Sequence, residues 1–335
     1  MSRSARRPDL DTQALEELAR EARESQGLRA KAEIGAVAER LGLGHSKISV
    51  GDDCAAIPDS EGHLLFAIEG FINGFVAADP WFAGWCAIMV NVSDIASMGG
   101  WPIAVVDAVW AEGESAAEKI LDGMKAASEA YAVPIVGGHS NLHNAQSQLA
   151  MAIVGRAGKR LLTSFDARPG DVLIAAIDHR GAYREPFDNW QAALSAPHER
   201  LRADLALLPQ IARDGLAHAA KDISQGGIPG TAAMLAECSG VGVDLDVEAI
   251  FPPPGVPLSR WLKTFPSFGF LLATEHGRAN ALLSVFHKRG LDAAVIGKVN
   301  AGSEVALVAG ARRAVIRDWR RERLLGFAPV EERAA

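Results

Sequence analysis

The stretch Asn91-Val-Ser-Asp-Ile-Ala-Ser-Met-Gly-Gly-Trp-Pro102 constrains this chain more than any other. Ile88, Val92, Ile95 and Met98 recur at helical spacing, so one face of a helix is buried. Asn91 and Asp94 sit three apart, which sets both polar heads on a neighbouring face. Gly99 and Gly100 end the helix, and Pro102 does not continue it. An acid held on a packed helix must be paired, hydrated or bound to a cation. The sequence therefore marks Asp94 as a ligand in a magnesium–nucleotide site, although a single helical Asp is also compatible with a solvated surface.

Other stretches carry matching chemistry. In Gly51-Asp52-Asp53 two adjacent carboxylates repel each other unless a cation sits nearby, and magnesium prefers such oxygen ligands. Read alone, this is an ordinary acidic turn. Glu69-Gly70 ends an apolar strand expected over His63–Ile68 and is equally a solvated loop acid. Ser93 adds a hydroxyl beside Asp94. Gly137 and Gly138, after a short strand at Pro134–Val136, would let a phosphate approach the backbone, with His139 as a donor to it. Asp222-Ile-Ser-Gln-Gly-Gly227 repeats the theme as a strand-to-helix turn. No P-loop lysine motif is present, so a nucleotide site here needs carboxylate-bound metal and backbone amides.

The whole chain sets limits on the class. Its 335 residues provide for two domains with real cores, and a net charge of −7 argues against a broad nucleic-acid surface. No apolar run reaches the roughly 20 residues that a bilayer crossing needs. Met1–Arg7 is basic but is followed by Asp9, Asp11 and Glu16, which is not the pattern of a secretory signal. Cys54, Cys86 and Cys238 make neither a zinc pattern nor a disulfide framework, and a cytoplasmic setting is expected.

Strand and helix patterns alternate through the first half. A helix is expected over Ser115–Tyr131, with Ser115 and Glu118 as a capping box. Helices are also expected over Thr12–Glu24, Ala32–Leu41, Glu199–Arg213, Thr231–Cys238 and Arg278–Lys288, and a closing hairpin over Glu304–Val308 and Ala314–Arg317. A composition change near Lys159–Gly170 suggests three parts: a charged extension over 1–30, a first domain over 31–160 and a second over 161–330. Trp81, Trp85 and Trp101 read as core, with a dimer interface as the other possibility. Arg156, Lys159, Arg160 and Arg184 are basic positions suited to an anionic substrate or simply solvated.

In this order the segments resemble the superfamily of aminoimidazole ribonucleotide (AIR) synthase. Thiamine-monophosphate kinase, selenophosphate synthetase, the hydrogenase-maturation dehydratase and formylglycinamidine ribonucleotide synthase are its relatives. The 51–57 segment is similar to the family's Gly-Asp-Asp-Ala-Ala, 91–102 to its most diagnostic block, 136–139 to its Gly-Gly-His/Asp/Glu segment, and 221–227 to its second-domain Asp-x-Ser/Thr-x-Gly motif. The resemblance covers roughly Ile34 to Val308.

It implies a PurM-like two-domain fold: an N-terminal α/β domain whose sheet pairs with that of a second subunit in a homodimer, then an α+β domain. It implies ATP and Mg2+ as cofactors and a small-molecule substrate, with no nucleic acid and no membrane. Asp52, Asp53, Glu69, Asp94 and Asp222 would hold metal. Asn91, Ser93, Gly137, Gly138 and His139 would bind the nucleotide, and Asp94, Asp222 and His139 would be catalytic. Thiamine-monophosphate kinases usually carry Asp where this chain has His139 and Gln225. The reactive Cys or selenocysteine loop of selenophosphate synthetase is missing, and AIR synthase itself normally has no Asp at the position of Asp222. The chain most resembles the uncharacterised AIR synthase-related members. The implied activity is an ATP- and Mg-dependent phosphotransferase or ligase-type reaction; a nucleotide-binding or scaffold protein without turnover is the alternative.

Overall fold

Asp79 and Pro80 start the helix on which the rest of its unit is assembled. The Asp79 carboxylate accepts from the Phe82 amide at 3.2 Å, and Pro80 occupies the first turn, where a missing N–H costs nothing. The helix runs over Pro80–Ser97, and every residue from Phe82 to Ser97 is buried. Gly99, at φ +74°, turns the chain out of it. The computed structural model describes residues 10–46 and 48–326.

The chain divides into two units. One comprises Lys47–Thr163 and Ala192–Asp222, the other Met1–Ser46, Ser164–Gln191 and Ile223–Ala335. These differ from the contiguous expected domains in two places. Residues 192–222 fold with the first-half unit, because Arg202 donates to the Ala130 carbonyl at 3.1 Å and Ala212 packs against Gly99. Residues 10–46 group with the other unit.

In the 47–163/192–222 unit a five-stranded sheet runs in the order Ala55–Asp59, Gly62–Gly70, His143–Ala157, Gly100–Glu112, Ile135–Asn141. The pairings are antiparallel except the last, which is parallel. One face of this sheet meets the Pro80–Ser97 helix. Along Gly62–Gly70 the buried Leu65 and Ala67 alternate with the exposed Phe66 and Ile68, so Glu69 shares the inner side.

The helix Glu114–Tyr131 packs on the central helix through two glycines. A Cβ on Gly84 would lie 2.0 Å from the Ile120 carbonyl oxygen, and one on Gly123 would lie 1.9 Å from that of Trp81. The expected capping box at Ser115 does not form. The helix begins at Glu114, after Gly113 at φ +85°, and has no side-chain cap. The single helix expected over Glu199–Arg213 is two, His198–Leu205 and Leu207–Asp214, because Pro209 cannot supply the backbone donor of a continuous helix. The strand Ala219–Asp222 closes this unit against the central helix.

In the other unit a sheet runs in the order Arg312–Asp318, Glu304–Ala309, Gly242–Asp246, Asp292–Asn300, Val172–Ile177, Gly269–Thr274. The helices Gly227–Ser239 and Ala279–His287 pack against it. The helix Thr12–Arg23 buries Leu15, Ala19 and Ala22, and Arg23 donates to the Val315 carbonyl at 2.8 Å. The helix expected over Ala32–Leu41 is found as Glu33–Arg40, and a further short helix, Gln26–Lys31, precedes it. Buried Glu237 accepts from the amides of Leu324, Leu325 and Gly326 and so ties down the last described segment. All three cysteines are buried and free. Among the described residues, no helix is long and apolar enough to cross a membrane.

The helix crossing yields a test. Gly123→Ala puts a methyl group into the Trp81 backbone and should cost about 2 kcal/mol. Gly74→Ala, whose added Cβ meets nothing within 4 Å, is the reference. Thermal unfolding of both variants should show a drop of several degrees for the first alone; equal melting temperatures would contradict the close packing.

Candidate metal centre

Three acids from distant segments meet inside the 47–163/192–222 unit. Ligand oxygens of Asp53, Asp94 and Asp222 all lie within 4.8 Å of one another. Each arrives by a different route. Asp53 follows the Gly51 turn that leads into the first strand, Asp94 projects from the last turns of the central helix, and Asp222 ends the strand that packs on that helix. Asp94 and Asp222 are buried.

The surrounding groups are mostly acidic. Burial drives the Asp94 carboxyl well above the usual carboxylate range, and Asp222, Glu69 and Asp53 push it further in the same direction; Lys221 acts against them. Glu69 thus faces the cluster from the inner side of its strand without being one of its three members. The Cys54 thiol is raised by its own burial and then by Asp94, Asp53, Asp52 and Asp222. Among the described residues, the cation facing these groups is Lys221. Its ammonium donates to Asp53 Oδ1, and the Asp222 amide donates to Asp53 Oδ2 at 3.2 Å. Burial alone would lower the Lys221 pKa, but Asp53, Asp52 and Asp222 outweigh it and the pKa rises. Asp52 accepts from the Asp53 amide at 3.0 Å, which fixes the acidic turn.

One oxygen of the cluster is buried without a protein partner. Asp94 Oδ2 is buried and accepts no hydrogen bond. Leaving a buried carboxylate oxygen unsatisfied costs free energy unless something else coordinates it. An all-oxygen set of carboxylates with an unsatisfied member fits a hard divalent cation such as magnesium.

The remaining expected site residues stand elsewhere. Asn91 is fully buried; its Nδ2 donates to the Ala87 carbonyl at 2.8 Å, and its Oδ1 has no partner. Ser93 donates its hydroxyl to the Met89 carbonyl at 3.1 Å, within its own helix, not into the acid cluster. Gly137, Gly138 and His139 do not form a phosphate turn. They lie in the mostly exposed edge strand Ile135–Asn141, paired with Val106, Asp107 and Ala108. The His139 ring sits 6.1 Å from that of Trp110 and is not a member of the cluster. Trp85 is buried as expected, but Trp101 is 54% exposed on the outer side of the sheet. Arg156 is paired with Asp59 at 2.8 Å, and Arg160 donates to the Arg213 carbonyl. Lys221 was singled out by nothing in the sequence except its place directly before Asp222.

Residues 51–157 match the AIR synthase related protein, N-terminal domain, and residues 168–310 match the AIR synthase related protein, C-terminal domain. An uncharacterised protein of Synechocystis sp. is 46% identical over 282 residues, covering 84% of this chain and 87% of its own length. Thiamine-monophosphate kinase of Pyrococcus abyssi is 27% identical over 84% of this chain and 93% of that one. The solved structure of AaThiL complexed with AMPPCP and TMP superposes with a TM-score of 0.63 at 24% identity, over 84% of this chain and 94% of that one. The chain spans 48% of the Thermotoga maritima PurL structure complexed with FGAR, which it matches at 18% identity over 84% of its own length with a TM-score of 0.68.

The cluster's repulsion has a measurable cost. Asn at position 94 mimics the uncharged carboxyl that burial and the neighbouring acids favour. In metal-free protein, Asp94→Asn should therefore raise stability by about 1 kcal/mol or more, as a site shaped for ligand and not for stability would respond. Calorimetry in the presence of a chelator reads this directly. A variant less stable than the wild type would mean that Asp94 is already satisfied without metal.

Proposed function

The chain belongs to the AIR synthase related protein family, and on that premise we propose that it is an ATP- and Mg-dependent phosphotransferase or ligase-type enzyme acting on a small metabolite. The observation that carries this reading is the convergence of Asp53, Asp94 and Asp222 with an unsatisfied buried oxygen on Asp94. A divalent ion bound there supplies charge neutralisation for a triphosphate. This chain's residues contribute position. Asp94 is fixed by a fully buried helix and Asp222 by a strand packed on it. Lys221 holds Asp53 in place, and Glu69 and Asp52 add negative potential that favours a cation. The Pyrococcus relative named thiamine-monophosphate kinase and the AaThiL structure with AMPPCP and TMP support a nucleotide as one substrate.

Asp94→Asn tests the assignment. Mg-ATP at a hundredfold excess over its Kd should stabilise the wild type by about 2.7 kcal/mol. The variant should show no such shift in melting temperature, and an equal shift would remove Asp94 from the site. Phosphate release stimulated by a candidate acceptor distinguishes an enzyme from a nucleotide-binding scaffold. The scaffold reading draws on His139, which stands on an exposed edge strand apart from the acids.

A homodimer is part of the proposal. The sheet face turned away from the central helix carries Ile57, Phe66, Ile68, Trp101 and Val106, between 41% and 66% exposed. The ladder places Phe66 and Ala104 on either side of Val154, and Ile68 and Val106 on either side of Ala152, so these side chains share one face. A contiguous apolar face of this kind is the mark of an interface, and a second copy of the sheet is its proposed cover. Phe66→Arg with Ile68→Arg should convert a dimer to a monomer in sedimentation velocity; an unchanged sedimentation coefficient would exclude this face.

A further inference from the structure

We propose that the Lys221 ammonium stands in for one divalent cation of the acid cluster. The inference deepens the metal-centre reading and rests on it. Asp53, Asp94 and Asp222 bring up to three negative charges together, and the Lys221 ammonium supplies one compensating positive charge. The lysine is committed to a single member. It donates to Asp53 Oδ1, while the amide of the next residue, Asp222, takes Oδ2, so both Asp53 oxygens are occupied by the protein. Asp94 is in the opposite condition, with a buried oxygen that meets no donor. The protein has thus closed one side of the cluster with its own cation and left the other side open.

A simple structural salt bridge explains this less well. Both side chains are almost completely buried, 6% and 4% exposed. Desolvating two such ions is costly, and a buried pair seldom outperforms apolar residues as a source of stability. The lysine does have a clear purpose as counter-charge, because it is ion-paired with Asp53 directly beside Asp222. An ammonium is a compact point charge, close in role to a small metal ion but fixed to the chain. On this account the divalent ion belongs at Asp94 and Asp222, and Asp53 is a ligand only when Lys221 is removed.

The test is Mn2+ binding without nucleotide, read by water-proton relaxation or calorimetry, with wild type, Lys221→Gln and Lys221→Arg. Lys221→Gln should bind one more Mn2+ per chain, or bind Mn2+ at least tenfold more tightly, because a full positive charge has left a buried site. Its metal-free form should melt below the wild type, and Mn2+ should raise its melting temperature more than that of the wild type. Lys221→Arg keeps the charge and should bind Mn2+ as the wild type does. Equal stoichiometry with an unchanged affinity in Lys221→Gln overturns the proposal. So does a Lys221→Gln protein that fails to fold even when produced with Mn2+, since a divalent ion should replace the ammonium. Asp94→Asn separates the two levels of failure. If neither wild type nor Lys221→Gln binds Mn2+, the metal reading itself falls. If both bind it equally, and Asp94→Asn abolishes the binding, only the role of Lys221 falls.

Discussion

Mutual repulsion among buried carboxylates is the constraint that the rest of this structure answers to. Asp53, Asp94 and Asp222 approach within 4.8 Å in a region with little water. A like-charged pair at about 4 Å is worth roughly 4 kcal/mol at an effective dielectric of about 20. Left to themselves, flexible segments would carry the acids apart. They stay together because each is attached to something that cannot yield. The helix bearing Asp94 is buried along nearly its whole length, between a sheet and a second helix. Gly84 and Gly123 let those two helices approach until backbone meets backbone, so the helix cannot slide. The cluster is therefore a product of rigid packing and not of local attraction.

The same logic explains which parts of the site were legible in the sequence. Asp94 stood out because a helix with one apolar face carries it three residues from Asn91 on a neighbouring face, and such spacing is visible without any tertiary neighbour. Asp52, Asp53 and Asp222 were marked by glycines beside acids, a local signature of a tight turn. That they converge is a tertiary fact, and only the order of the motifs hinted at it. The local conformation of Gly137, Gly138 and His139 was less legible. Paired glycines suggest a turn, yet here the parallel ladder to Val106–Ala108 holds them in an extended strand. Ser93 looked available because hydroxyls bind phosphate, whereas a helical serine commonly bonds to the carbonyl one turn back, as this one does.

Lys221 was missed because its ion-pair partner, Asp53, lies 168 residues away. In sequence it is one basic residue at the end of a short strand. The fold itself was read more completely, since the strands and helices follow hydrophobic period, and period is local. The errors fall at element ends and unit boundaries. Residues 192–222 return to the first-half unit through contacts such as Arg202 with Ala130, which no composition change announces.

Rigid packing and electrostatic frustration together give a bound cation, on the proposed reading, a stabilising role in the fold. The family's architecture is shared by proteins with different names and substrates, so activity has to be argued from the site. At this site the protein has taken on repulsion that Lys221 and the Asp222 amide relieve on one side only. The unrelieved side contains Asp94 Oδ2, a buried carboxylate oxygen without a donor. A ligand that supplies positive charge there contributes its binding free energy to the native state alone, because the unfolded chain has no such arrangement of acids. The segments around residues 53, 94 and 222 are then held by the scaffold and also by what they bind. A triphosphate that brings its own divalent ion would couple recognition to the ordering of all three segments at once, which is the property that a phosphoryl-transfer site needs from its protein.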